Sequence, residues 1–240
     1  LAAEGTVGAM ILDMQLDGSG LDWQSLDMNM KGVVDSLQFM GESINSILVD
    51  GRLTGKYFSG HLEVADELLG LLFDGSVDLR EEKPVFDAIA EVKALNISRL
   101  SGDKIPYPVY ASGEIVLNME GDDLDRLQGR VEGSRLELNG NGHRFRSRSL
   151  LLSFEPGVSG YRNVRLRSDF ADADVEGEFL FADLVHSVIR HAYRLYPRAG
   201  WEHVPEPAGQ GQQARIDVSV YDIQPLLSLF LPEWEVESGI

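Results

Sequence analysis

The chain has 240 residues, 43% of them hydrophobic, a formal net charge of −18 and no cysteine. That apolar content excludes a disordered chain, and the charge disfavours non-specific nucleic-acid binding and adsorption to an anionic membrane, both of which need a cationic face. No disulfide frame is possible, no apolar run approaches the ~20 residues of a transmembrane helix, and no secretory signal is visible.

Val7–Leu16 reads as a strand, with Asp17-Gly18-Ser19-Gly20 as its turn. Leu26, Met28 and Met30 alternate with polar residues up to Lys31-Gly32, and Leu37, Phe39, Ile44 and Ile47 mark further strands. Ile47–Leu100 reads as strand, glycine turn, strand, turn, strand. In it Ile47-Leu48-Val49 leads into Asp50-Gly51, His61–Val64 alternates, and Phe73–Leu79 carries Gly75 inside an alternating run. Period-two alternation assigns one set of side chains to each sheet face. Ser101–Pro108 is rich in breakers and reads as a connector. Ile115, Leu117 and Met119 alternate up to Gly121-Asp122-Asp123. Val131, then Leu136 and Leu138, then Phe145, then Leu150, Leu152 and Phe154 mark four more short strands, followed by Val164, Leu166 and Phe170, and by Val175 and Phe179. Many short strands with regular glycine signals predict an antiparallel, mainly β fold.

Phe181, Leu184, Val185, Val188, Ile189, Ala192 and Tyr193 recur at helical spacing, so one amphipathic helix is expected over 181–195, stopped by Pro197. Glu202–Gln213 has linker composition, and Pro225–Leu231 fits a short second helix. The layout also repeats. Leu37-Gln38-Phe39 matches Leu136-Glu137-Leu138, Ile47-Leu48-Val49 matches Leu150-Leu151-Leu152, and Phe73-Asp74-Gly75 matches Val175-Glu176-Gly177. Gly20 and Gly32 match Gly121 and Gly133, all at separations of 99 to 103 residues. Val218–Leu226 echoes Val92–Leu100. The expected units are 1–105, 106–213 and the start of a third at 214–240, in an elongated array where each unit completes its neighbour's core. The chain reads as a segment of something longer.

Chemistry is sparse. Gly51-Arg52-Leu53-Thr54-Gly55-Lys56 has one residue too few for a phosphate loop, with Tyr57 where Ser or Thr would bind magnesium. Gly157-Val158-Ser159-Gly160 lacks the spacing of a nucleophile elbow. His186 and His191 are five apart and face different ways, and Asp122, Asp123 and Asp125 fail the calcium-loop pattern. The expectation is a non-enzymatic protein with no catalytic residue, metal or cofactor. Arg144, Arg146 and Arg148 share one face of one strand. They form either a cationic ladder for anionic headgroups or, the favoured reading, cross-strand partners for the abundant carboxylates.

Leu72-Phe73-Asp74-Gly75-Ser76-Val77-Asp78-Leu79 with Lys83-Pro84-Val85-Phe86, the Asp123–Gly129 step, and Arg167–Gly177 leading to Phe181 and Tyr196-Pro197 carry a resemblance. In this order they resemble the TamB-type translocation and assembly module family of the AsmA-like superfamily of bridge-shaped lipid-transfer proteins, in versions like those of Bacteroidota-type Gram-negative bacteria. The resemblance implies a long sheet bent into a U-shaped, open, β-taco-like groove with an apolar lining. It implies a periplasmic location in an inner-membrane-anchored protein that moves phospholipid toward the outer membrane. It also implies a BamA/TamA-like outer-membrane partner. It carries no catalytic residue. If a groove forms, alternation assigns its lining to Leu62, Val64, Val77, Leu79, Ile115, Leu117, Leu136, Leu138, Leu152, Phe154, Val164, Leu166, Val175, Phe179, Ile216 and Val218, which would hold acyl chains at ~0.8 kcal/mol per buried CH₂. A closed sandwich would bury the same residues against a second sheet, and alternation does not separate the two. The alternative function is a β scaffold that holds an outer-membrane assembly partner by strand addition.

Overall fold

The structure is a computed structural model and describes residues 7–20, 22, 25–39, 42–100, 105–157, 160–181, 183–184 and 213–230. Among these residues twelve strands form one antiparallel sheet in which every strand pairs with its sequence neighbours, and this sheet does not close into a barrel. The first six are β1 (Val7–Ser19), β2 (Asp27–Phe39), β3 (Glu42–Thr54), β4 (Tyr57–Ala65), β5 (Leu69–Asp78) and β6 (Val85–Asn96). A single helical turn, α1 (Ile97–Leu100), leads to β7 (Val109–Glu120), β8 (Gln128–Gly140), β9 (His143–Pro156), β10 (Tyr161–Ser168), β11 (Ala171–Glu178) and β12 (Gln213–Val220). Helix α2 (Gln224–Phe230) follows. The mainly β, antiparallel expectation holds, and so does the short helix near Pro225. Of the helix expected over 181–195, Phe181, Asp183 and Leu184 are helical; its remainder and most of the linker lie outside the described residues.

The strands are longer and fewer than the alternation suggests. Gly32 and Gly51, expected to end strands, lie inside β2 and β3, and the β3–β4 turn falls instead at Gly55, where φ is +60°. The four short strands expected between Val131 and Phe154 are two, β8 and β9. Between Gly133 and Leu136, and between Ser147 and Leu150, the inner-face spacing is three residues rather than two, with Arg135 at φ +52°. The register of β8 and β9 is the same on both sides of this step, while that of β7 and β8 shifts between Ser112 and Glu114, a β-bulge.

The repeat corresponds to six strands. Leu37 and Leu136 lie on β2 and β8, Ile47 and Leu150 on β3 and β9, and Phe73 and Val175 on β5 and β11. The chain is continuous across the expected unit boundaries, since β6 pairs with β7 and β11 with β12. Val218 therefore lies on β12, the sixth strand after β6, which bears Val92.

Among the described residues no second sheet covers this one. Burial comes from curvature and from small caps at the strand ends. Adjacent residues on β3 differ sharply: Val49 is 7% exposed and Leu48 42%. In one uncovered layer such a contrast requires the face bearing Val49 to be concave, so that its side chains crowd one another. At one end of the strands fully buried Leu68 joins Ile44, Ile47, Val64 and Leu100. At the same end α2 packs on β8 and β9, fixed by the Tyr107 hydroxyl, which donates to the Leu229 carbonyl at 2.6 Å.

Candidate functional site

The register assigns every strand residue to a face. Met28, Leu53, Phe58, Val77, Phe86, Met119, Gly129, Phe154, Val164, Val175 and Ile216 are successive partners from β2 to β12 and form one row across the sheet. The next row runs Leu16, Met30, Gly51, Gly60, Gly75, Ala88, Leu117, Val131, Leu152, Leu166, Ala173 and Val218. A third contains Val49, Leu62, Phe73, Ala90 and Ile115. From β2 onward this inner face is mostly Gly, Ala, Val, Ile, Leu, Met and Phe; its other described residues are Glu42, His143, Ser147, Pro156, Arg162 and Ser168. At ~4.8 Å per strand spacing, twelve strands give a contour of about 50 Å.

Of the sequence-assigned lining residues, Leu62, Val64, Val77, Ile115, Leu117, Leu136, Leu138, Leu152, Phe154, Val164, Leu166, Val175, Ile216 and Val218 all stand on the inner face. Leu136 and Leu138 lie beyond the β8 bulge, and Ile216 and Val218 on the exposed edge strand. The other two leave the strands. Leu79 follows the end of β5, its amide donating to the Lys56 carbonyl at 2.9 Å, and its side chain is exposed in the turn. It is therefore not a lining residue, because alternation ends where the turn begins. Phe179 follows β11 and is buried, with its ring centroid 5.5 Å from that of Phe181.

Of the described charges on the inner face, Glu42 at the start of β3 pairs with Arg99, and Arg162 is offset locally. Arg162 has a side chain only 15% exposed; its Nη1 donates to Asp125 Oδ1 at 2.9 Å, and its guanidinium lies 5.4 and 5.9 Å from the rings of Phe179 and Phe181. The same Asp125 oxygen accepts the Phe181 backbone amide at 2.8 Å. Asp125 thus ties the β7–β8 connection to the segment that follows β11, and these aromatic rings with Phe154 close one end of the inner face. The acidic cluster at Asp122–Asp125 is occupied with this work: Asp123 caps the Leu124–Arg126 turn and Asp122 pairs with Arg126 at 2.7 Å. Sequence reasoning did not find the Arg162–Asp125 latch, because the two residues lie far apart in the chain and alternation does not mark a lone cation on an apolar face.

The outer face is rich in paired charges, with Leu48, Ile89 and Leu151 exposed among them. Lys31–Asp50, Arg52–Asp27 and His61–Asp74 pair across neighbouring strands at 2.7, 2.6 and 3.0 Å. Arg144, Arg146 and Arg148 also stand here, opposite buried Phe145 and Ser147. Arg144 and Arg146 reach Glu137 at 3.1 and 2.7 Å, and Arg148 reaches Asp169 at 3.4 Å. They pair within the sheet and point away from the apolar face. Glu137 lies below the usual carboxylate range, held there first by the Asn139 amide and then by Arg146. Asp169 is lowered by the Ser147 hydroxyl and by the Arg148 backbone amide, the latter at 3.0 Å. Exposed pairs of this kind contribute little stability each; they keep this side of the sheet in water.

The chain matches no protein-family model, no curated protein and no solved structure. Among the described residues no helix is long and apolar enough to cross a membrane.

Proposed function

We propose that the chain is a non-enzymatic lipid-conduit segment whose inner face receives phospholipid acyl chains. In keeping with its resemblance to TamB-type proteins, it would act in the periplasm of a Gram-negative bacterium as part of an inner-membrane-anchored protein. One observation carries the reading: the inner face presents apolar residues on every strand from β2 to β12, with few polar exceptions, and no described second layer covers it. Monomeric soluble proteins rarely expose contiguous apolar patches above a few hundred Å². A surface about 50 Å in contour with few polar groups suits a flexible ligand with no directional contacts. Each CH₂ moved onto it gains ~0.8 kcal/mol. A trough with an apolar floor and a wetted outer face also leaves a headgroup in water while the tail is buried.

The test pairs neighbouring residues on opposite faces. Leu152→Lys places a charge in the middle of an apolar row, whereas Leu151→Lys places the same charge on the outer face. The expected outcome is phospholipid in an organic extract of the purified wild type, uptake of a fluorescent fatty acid by the wild type and L151K, and loss of uptake in L152K at unchanged circular dichroism. No lipid and no uptake in the wild type, or equal uptake by the two variants, refutes the proposal.

A further inference from the structure

The headgroup of an acyl ligand meets the rim of the trough, and that rim is not uniform. In the row that begins at Met28, Gly129 is the one residue without a side chain. It stands between Met119 and Phe154, held so close to β7 that a Cβ would meet the Asn118 carbonyl oxygen at 2.1 Å. The gap opens a cleft of about 430 Å³, mainly apolar, bounded by Val85, Phe86, Met119 and Phe154. Phe154 and Pro156 are shared with a second, smaller space of about 150 Å³ on the side of β10. Cations from three separate parts of the chain converge on that smaller space: Lys83 from the β5–β6 turn, Arg126 from the β7–β8 connection and Arg162 from β10. The other charged side chains lining it are Asp125 and Glu155, so cations outnumber carboxylates there in a chain of net charge −18.

These cations are not used up by their neighbours. Arg162 gives Nη1 to Asp125 at 2.9 Å, and Arg126 gives Nη2 to Asp122 at 2.7 Å. Lys83 is held most loosely, its Nζ 3.9 Å from Glu120 Oε1. Glu155 is engaged by Arg165 at 3.2 Å. A guanidinium carries five N–H donors and an ammonium three, so each of the three cations keeps donors beyond its carboxylate. We propose that this corner of the rim is a headgroup site. The phosphate of an acyl phospholipid lies among Lys83, Arg126 and Arg162, and its acyl chain runs over Phe154 into the cleft at Gly129. Phosphate suits the place because it offers several acceptor oxygens to donors that arrive from different directions, and arginine forks grip it two bonds at a time. The rest of the inner face holds a tail equally well at many positions, so a headgroup site would give the ligand one fixed register. This inference rests on the lipid-conduit reading and assigns the headgroup its place within it.

Equilibrium binding of two probes to the purified 240-residue chain tests it. Monooleoylglycerol and its phosphate ester, oleoyl lysophosphatidic acid, share one tail and differ by the phosphate. The quantity read is the ratio of their Kd values within each protein, so that any change in tail binding cancels. The wild type should prefer the phosphate ester by about tenfold or more, the gain expected of charge-assisted hydrogen bonds. Lys83→Met should lower that preference by about threefold and Asp125→Asn/Arg162→Met by about tenfold. Lys31→Met, which removes an exposed cation on the outer face, should leave it at the wild-type value. Circular dichroism and melting temperature show whether each variant folds, and K83M, at an exposed turn, keeps the test decisive if the double variant does not. If neither probe binds, the lipid-conduit reading fails and this inference with it. If both bind and the wild type shows no preference, or K83M and the folded double variant keep the full preference, or K31M lowers it as much as K83M, the headgroup site alone is overturned. Inorganic phosphate that displaces the ester at equal concentration also overturns it, since the site would then take free phosphate without a tail.

Discussion

A methyl group added at Gly60 tests how tightly the inner face is curved. A Cβ at Gly60 would sit 2.5 Å from both Gly51 Cα and the Asp50 carbonyl oxygen, and one at Gly75 would sit 2.4 Å from the Asp87 carbonyl oxygen. Carbon atoms pack best at about 3.5–4.0 Å, so Gly60→Ala requires β3 and β4 to separate by about 1 Å. The opposing atoms are backbone and cannot rotate away. Overpacking of this kind costs ~1–3 kcal/mol, and about two stretched ladder hydrogen bonds add ~1 kcal/mol each. The lower entropy of the unfolded alanine chain returns ~0.4–1 kcal/mol. The expected net loss is about 2–4 kcal/mol, or a melting temperature lower by roughly 5–15 °C in a chain of this size. Gly70 is the control. It lies on the outer face of β5, where a Cβ would come no nearer than 3.3 Å to any atom, the Lys93 Cβ, with the Ala94 backbone at ordinary contact distance, so Gly70→Ala should be close to neutral. Thermal and urea unfolding of G60A, G75A and G70A are the measurements. If G60A is as stable as G70A, the close approach of β3 and β4 on the concave side is wrong.

Asp125→Asn should destabilise by about 2–3 kcal/mol, because it leaves the shielded Arg162 guanidinium unpaired and weakens the acceptor for the Phe181 amide. The double variant Asp125→Asn/Arg162→Met should recover much of that loss, and urea titrations of the two variants give the comparison. If the double variant is no more stable than the single one, the latch is not an interacting unit. Asp169 and Glu137 both have depressed carboxyl pKa values. Their contribution is therefore present above the ordinary values of 3.8 and 4.5 and is lost as the pH falls through the lower folded values. Stability should be flat from neutral pH to about 5 and should fall below about 4, with a shallower fall in Asp169→Asn. A urea midpoint that rises on acidification in that window contradicts the assignment.

The sequence carried the faces better than the lengths. Alternation at Leu62–Val64, Ile115–Leu117 and Leu150–Phe154 placed side chains on the correct side of the sheet, because a period of two is a property of each strand by itself. It did not place strand ends. Gly51 and Gly32 look like turn residues to a local reading, yet both lie within strands and face inward, where neighbouring backbones approach too closely for a side chain. That requirement arises from the curvature of the whole sheet, and no local pattern encodes it. The apolar rows were likewise visible strand by strand, while the absence of a described second layer over them was not. The arginines at 144, 146 and 148 were legible as one face of β9, and the abundance of carboxylates indicated their pairing.

The bulges explain how a single apolar face survives strands of this length. A one-residue slip would send every later side chain on a strand to the opposite face. In β2 and β3 the inner-face spacing lengthens to three between Val34 and Leu37 and between Ile44 and Ile47, with Ser46 at φ +57°. Six strands later it lengthens again at matching places, between Gly133 and Leu136 and between Ser147 and Leu150. The extra residues of β2 and β8 are matched by those of β3 and β9, while toward β1 and β7 the register shifts by one, and in both cases the apolar rows continue on the same side. Bulges also bend the strands that carry them. A repeated pair of bulges therefore sets a repeated bend, and the concavity of the inner face arises from the six-strand unit itself. Deleting Ser46 alone brings Ile44 and Ile47 into strict alternation but leaves Asp35 of β2 without a counterpart on β3, so the β2–β3 ladder mismatches by one residue and stability falls. Deleting Asp35 and Ser46 together, one residue from each partner strand, should restore the match. A double deletion that melts no higher than ΔSer46 alone would show that the two bulges do not act as a unit.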